Sequence, residues 1–384
     1  MTSVHKAAQT PYPDLPQGVS GEHSAKALGL LSCAPDADYR GLLQALNSSL
    51  PIPVVGGTSL ANPFEIDSDP FTTNLAFLNK KNIRHAISLS PPLTDGGKPH
   101  HVASMYADCL QKLGETPKLF LVFSPILPNL YLDNLTDELF RLAGGVPIFG
   151  GMVSDGPEGD SQAVFADGYY HRDRILLIGL AGDIQPVFGV DSHITGMSDY
   201  FPIVTAATGN AIERVDNMSF LSYLQKNGLD ADSLEDFPLS VRRRPPGMPK
   251  NAIPLVDALV RIDHDTGAGI LSSNVSKGDA ISLVVLTKDN IVQSTTSAVE
   301  KLLAGMEAAA KTGYEFEMVF AVSCIARYYI MSGSEHVEAK ILAEKLPDEL
   351  SKFGFFAFRE LCPTWDGEKF ANQVFGVSLA LCAF

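Results

Sequence analysis

Basic residues are scarce. Lys and Arg total 29 against 44 Asp and Glu, giving a net charge of −15. That balance argues against nonspecific binding to nucleic acid or anionic lipid, which needs clustered Lys and Arg. The basic run Arg242-Arg243-Arg244 reads as a solvated loop, with an anion site as the alternative. Cysteine is sparse too. Cys33, Cys109, Cys324, Cys362 and Cys382 are odd in number and widely spaced, with no Cys-x-x-Cys, so neither a disulfide framework nor a structural zinc site is indicated. Reduced thiols in a cytoplasmic protein fit this usage. No apolar run approaches the roughly 18 residues of a membrane span, so no membrane insertion is expected. Met1–Lys26 is polar and proline-containing without an apolar h-region; it reads as a flexible leader rather than a secretory signal. Asp36-x-Asp38 and His264 between Asp263 and Asp265 read as a helix start and a turn, so neither metal nor cofactor is expected.

What the chain has is core material: 45% hydrophobic residues in 384, enough for two domains. The most informative stretch runs from Val146 to Asp155, VPIFGGMVSD. Ile148 and Phe149 suit a covered strand, and Pro147 suits its first residue. The strand is expected to stop at Gly150-Gly151 and hand over to Ser154 and Asp155. An echo lies upstream at Pro53–Ser59, PVVGGTS. Each copy follows a helical pattern, Tyr39–Leu50 and Leu135–Ala143. Two such units would put two backbone-exposing loops, at Gly56-Gly57 and Gly150-Gly151, on one sheet edge, where ligands bind in open α/β sheets.

Hairpins are expected at Asp167-Gly168, at Thr208-Gly209-Asn210 and around His264–Gly267. Asp230–Pro254, with little periodicity, reads as a long excursion serving as a lid or partner contact. Farther on, a buried strand ends at Ser323-Cys324, and Arg327 follows. An aromatic strand delivers Arg359-Glu360, and Asn372 precedes the last strand. Strand-end Cys, Arg, Glu and Asn are expected to meet in one pocket. For each there is a plain alternative: Cys324 as a small buried hydrophobe, Arg327 with Glu360 as a structural ion pair, Asn372 as a cap.

Taken in order, these elements resemble the FIST sensory family, from about Ala27 to Phe384. The Gly150–Asp155 stretch matches its GG-M-x-S-D element, and Val164–Gly168 its vF-x-D-G hairpin. Val204–Asp216 matches its junction, and Ser323, Cys324 and Arg327 its S-C-x-x-R element. Gly354, Phe355 and Glu360 match its G-F-x-x-x-x-E strand. The chain departs from the pattern at three places. Gly56-Gly57-Thr58 replaces Gly-Cys-Ser, Arg359 replaces a glycine in Phe358-Arg359-Glu360, and Val374 replaces a threonine.

The resemblance implies a mixed α/β (α+β) fold of two domains, residues 27–200 and 201–384, with mixed parallel and antiparallel sheets and helices outside. It implies a sensory module for a small molecule such as an amino acid or related carboxylate, signalling through a separate protein. The candidate ligand-binding residues are Gly56, Gly57, Gly150, Gly151, Ser154, Asp155, Ser323, Cys324, Arg327, Arg359, Glu360 and Asn372. Phe149, Phe355 and Phe358 are expected to form an apolar wall, and Arg359 to favour an anionic ligand. The alternatives are an interaction scaffold without a ligand and a Cys324-dependent enzyme. The enzyme reading needs a thiolate at Cys324 and lacks a histidine at catalytic spacing.

Overall fold

The protein is described here by a computed structural model. The described residues are 27–65, 73–80, 82–93, 98–127, 132–155, 161–192, 201–229, 239–248, 253–331, 336–365 and 370–384. The expected leader, residues 1–26, lies outside them.

A parallel β–α–β unit comes first: β1 (Leu28–Cys33), α1 (Tyr39–Ser49) and β2 (Val54–Thr58). Then β3 (Asn74–Leu78), β4 (Ile83–Leu89) and α2 (Pro99–Leu113) lead to a second unit: β5 (Leu119–Ser124), α3 (Leu132–Leu142) and β6 (Ile148–Val153). Next are β7 (Val164–Ala166), β8 (Tyr169–His171), β9 (Leu176–Gly182) and β10 (Val187–Asp191). The following stretch holds β11 (Val204–Thr208), β12 (Ala211–Val215), β13 (Met218–Ser219), α4 (Phe220–Lys226), β14 (Leu239–Arg244), β15 (Leu255–Asp263), β16 (Ala268–Leu271) and β17 (Ala280–Val285). After α5 (Lys288–Ala310), a third parallel unit runs from β18 (Met318–Cys324) through α6 (Ile325–Met331) and α7 (Val337–Lys345) to β19 (Ser351–Trp365). The last strands are β20 (Phe370–Phe375) and β21 (Leu379–Ala383).

Three sheets result among the described residues. One has five strands in the order β3-β1-β2-β7-β8. A second has nine, β10-β21-β18-β19-β6-β5-β9-β4 with β20 on β19. The third has seven, β11-β12-β16-β15-β14-β17 with β13 on β12. The nine-stranded sheet joins early and late chain: β6 pairs with β19 antiparallel, with Gly151 opposite Glu360.

Strand alternation explains the layering. In β5, Leu119, Leu121 and Phe123 face the five-stranded sheet, meeting a core that includes Leu28, Leu30 and Val55. Phe120 and Val122 point the other way, against Met105 and Cys109 of α2 and Leu135 and Leu139 of α3. In β18, Phe320 and Val322 join the first core, while Val319 and Ala321 pack against Ala298, Val299 and Leu302 of α5. The far face of the five-stranded sheet is covered by Leu42, Leu43 and Leu46 of α1. Two stacked sheets therefore carry helices outside, as expected for strands that are apolar on both faces.

The echo between Pro53–Ser59 and Val146–Asp155 is a structural repeat. Gly56 of β2 sits in register with Leu31 of β1, and Gly150 of β6 with Val122 of β5. Their φ values are +150° and +137°. A Cβ at either glycine would overlap the carbonyl of that partner. The strand was expected to stop at the double glycine. Instead β2 and β6 run through it, because the glycines are needed for close strand approach rather than for a turn.

The hairpins at Asp167-Gly168 (φ +55° and +76°) and at Gly209 (φ +59°) form as the residues dictate. The Arg242–Arg244 run is not a solvated loop. It ends β14, paired on both sides by β15 and β17. Alternation puts Arg243 on the buried face shared with Leu239 and Val241. The Asp230–Pro254 excursion thus contains a central strand; residues 230–238 and 249–252 lie outside the description.

Candidate functional site

Some of the strand-end residues picked out from the sequence meet, in packed interior, and others lie apart. Thr58 Oγ1 donates to the Ser154 carbonyl at 2.8 Å, and Leu60 N donates to Ser154 Oγ at 2.9 Å. From the third unit, Phe356 N donates to Ser59 Oγ at 2.8 Å. Asp155 Oδ1 accepts from Ser161 N at 2.8 Å. The expectation that the glycines bare their amides to a ligand is corrected by their neighbours. Gly56 and Gly57 lie between β1 and β7, and Gly150 and Gly151 between β5 and β19. Phe149 and Phe355 are core residues, each in contact with the Phe320 ring, at 5.1 and 5.9 Å between centroids, and not a pocket wall. The space at this edge, lined by Tyr328, His336, Glu338 and Phe356, measures about 10 Å³, room for about one water.

Arg327, with no exposed surface, does not pair with Glu360. Its Nε donates to Glu338 Oε2, Nη1 to Ser294 Oγ and Nη2 to Thr295 Oγ1, each at 2.7 Å. Its charge is met by a carboxylate eleven residues on, so the fork expected to hold a ligand is committed within the fold.

Cys324 and Glu360 come together in the interior. Burial pushes the Glu360 carboxyl up to about 8, although Ser378 donates to Oε2 from N at 3.1 Å and Oγ at 2.9 Å. Burial, and then the Glu360 carboxylate, push the Cys324 thiol far above its ordinary value. A nucleophilic thiolate needs the opposite environment, which counts against the thiolate that the enzyme reading requires at Cys324. Ser323 is fully buried, and its Oγ has no partner among the described residues. Val377 beside them has φ +62°, rare for a β-branched residue.

The sequence reading missed a denser polar centre, built on Asp257 of β15. Its Oδ2 accepts Arg243 Nε at 3.0 Å, and its Oδ1 accepts Arg359 Nη1 at 2.6 Å and Ser273 Oγ at 2.5 Å. Arg243 Nη1 reaches on to Asp279 Oδ2 at 3.0 Å. Burial alone would raise the Asp257 carboxyl; Arg359 and Arg243 hold it down at about 2. Arg359, expected to attract an anionic ligand, is thus bound to a carboxylate of the protein. The available signals were Arg243 on the apolar face of an alternating strand and Asp257 inside the apolar run Leu255–Leu259.

Beside this centre lies a cleft of about 570 Å³, with Arg243, Asn274, Asp279, Asn372 and Gln373 among its lining. Thr136 of α3 contributes from the early chain, and Pro246, Met248 and Val374 give it apolar surface. Asn372 is the one expected site residue that reaches this cleft. Its side chain also clamps β20 to the start of β6, accepting from Ile148 N at 3.0 Å and donating to the Val146 carbonyl at 3.3 Å. It is remote from Cys324 and Arg327, which line none of this cleft. Among the described residues, three buried acceptors around the cleft have no partner: Asp279 Oδ1, Asn274 Oδ1 and Gln373 Oε1. Buried polar atoms are nearly always hydrogen-bonded, so these mark a place where something else completes the set. Among the described residues there is no group of His, Cys, Asp and Glu able to hold a metal ion, and no helix is long and apolar enough to cross a membrane.

Stacked mixed sheets with helices outside, and a polar cleft lined by both early and late chain, define a mixed α/β protein of two sequence units. The chain belongs to the FIST family: residues 27–218 match the FIST N domain and 219–363 the FIST C domain. FIST domains are generally sensory domains of signal transduction. No curated protein matches the chain. Among solved structures, a cyanuric acid hydrolase from A. caulinodans aligns over 92% of this chain and 89% of its own, at 10% identity and a TM-score of 0.35. That level of likeness carries no functional argument.

Proposed function

We propose that the chain is a ligand-sensing module that takes a small molecule of the amino-acid class in the cleft between β14, α3 and β20. The observation that carries this reading is the cleft itself. It has the volume of a small-molecule site and retains unpaired acceptors beside a buried ionic centre. Its position supports a sensory role. Its lining comes from both family-matched segments, so an occupant would bridge them and bias their packing. A separate signalling protein would read the result.

The test is a thermal-shift screen against the proteinogenic amino acids at millimolar concentration. A binder at one hundred times its Kd should add about 2.7 kcal/mol of stability. The rise should be reduced by replacing Asn274 or Gln373 with Ala. No rise with any amino acid, or a rise insensitive to both replacements, sinks the proposal.

A further inference from the structure

The sequence led to a carboxylate-binding site, in which an arginine fork grips the acid end of the ligand. The geometry points to the reverse: we propose that this cleft recognises its ligand through an amine. The inference rests on the cleft being the ligand site.

Every cation at the cleft is already engaged. Arg243 gives Nε to Asp257, Nη1 to Asp279 and Nη2 to Ser273 Oγ. Arg359, behind it, gives Nη1 to Asp257 and Ser272. A carboxylate entering the cleft would have to compete with protein carboxylates at 2.6 and 3.0 Å. Among the residues that line the cleft, the buried side-chain atoms left open are all of one kind: those of Asp279, Asn274 and Gln373 are oxygen acceptors. Asp279 is only 1% exposed, and its other oxygen is held by Arg243 Nη1 and Ser276 N, both at 3.0 Å. Its free oxygen is therefore fixed in place. A protonated primary amine carries three donors and no acceptor, so it can donate to such oxygens without leaving an acceptor of its own unpaired. Charge agrees. Asp279, Asp137 and Arg243 line the cleft, one more negative charge than positive, on a chain of net charge −15. That field concentrates cations. The apolar surface of Pro246, Met248 and Val374 would take the ligand's hydrocarbon portion.

The experiment is calorimetric titration of the full chain with matched head groups on common tails: leucine, 3-methylbutylamine and 4-methylpentanoate; phenylalanine, phenethylamine and 3-phenylpropanoate; arginine and agmatine. Expected is binding of at least one amine, with the corresponding acid weaker by about tenfold or more, the factor carried by a charge-assisted hydrogen bond. Asp279→Asn should weaken the amine by a similar factor. Because that change also weakens the Arg243 contact that holds the fold, Gln373→Leu is run beside it and should weaken the amine while leaving the melting transition in place. An acid that binds as well as its amine, or amine binding unmoved by Gln373→Leu, overturns the inference and leaves the cleft as a ligand site. Failure of every compound to bind overturns the cleft reading itself.

Discussion

Asp257 Oδ1 accepts a hydrogen bond from Arg359 Nη1 at 2.6 Å, across 102 positions of sequence. The contact fastens the seven-stranded sheet, through β15, to β19 of the nine-stranded sheet. Both residues are almost wholly buried, and Arg243 holds the other carboxylate oxygen.

Removing the shared carboxylate leaves two buried guanidinium groups without their main partner. Asp257→Ala should cost about 3–5 kcal/mol, as for other broken buried pairs, read as a lower urea midpoint. Because Asp257 is held at about 2 against an ordinary 3.8, its contribution is complete above pH 3.8 and is lost as pH falls toward 2. That window should account for about 2 kcal/mol, missing from the acid denaturation of the Asp257→Ala chain.

Glu360 shifts the other way. It is as buried as Asp257, but its close partners are Ser378 N and Oγ rather than arginines. Between pH 4.5 and about 8 the folded chain keeps a proton that the unfolded chain has released. Its contribution is therefore complete below pH 4.5 and declines as pH rises to about 8. Glu360→Gln should flatten this slope, which can reach ~1.4 kcal/mol per pH unit. Urea midpoints at pH 5, 6, 7 and 8 would measure it, and an unchanged slope would refute the assignment.

Gly56→Ala and Gly150→Ala should be comparably severe. Each would press a methyl into a partner-strand carbonyl at a backbone angle that suits glycine, a cost of about 3 kcal/mol or more. Gly144 also has positive φ, +63°, but nothing lies within 4 Å of its missing Cβ. Gly144→Ala should cost only about 1–2 kcal/mol. Thermal melts of the three variants test the contrast.

All five cysteines are buried and free. Native chain at pH 7.5 should leave its thiols unmodified by iodoacetamide on the timescale on which free cysteine reacts, and all should react in guanidinium. Native-state labelling of Cys324 at or above the free rate would contradict its raised pKa.

Much was legible along the chain because it depends on local pattern. Apolar runs such as Leu119–Phe123 and Met318–Val322 announce strands covered on both faces. Asp167-Gly168 announces a hairpin, since those residues tolerate positive φ. The paired GG elements marked a genuine repeat, and the ordered motifs marked the family. The acidic balance that argues against nonspecific nucleic-acid binding was legible for the same reason: it is a property of composition, whatever the fold.

Which polar groups face each other depends on sheet order, and there only the tertiary structure decides. Arg327 finds Glu338 because α6 and α7 fold back beside α5, and Arg359 finds Asp257 because β19 is laid against a sheet built from another part of the chain. The double glycines looked like ligand loops because nearby sequence cannot reveal that β1, β5 and β19 lie against them. Asn372 was recognised, but its neighbours in the cleft, Arg243, Asn274 and Asp279, stand 93 or more positions away. A side chain's type is written in the chain, whereas its partner and its distance from water are set by packing between distant segments.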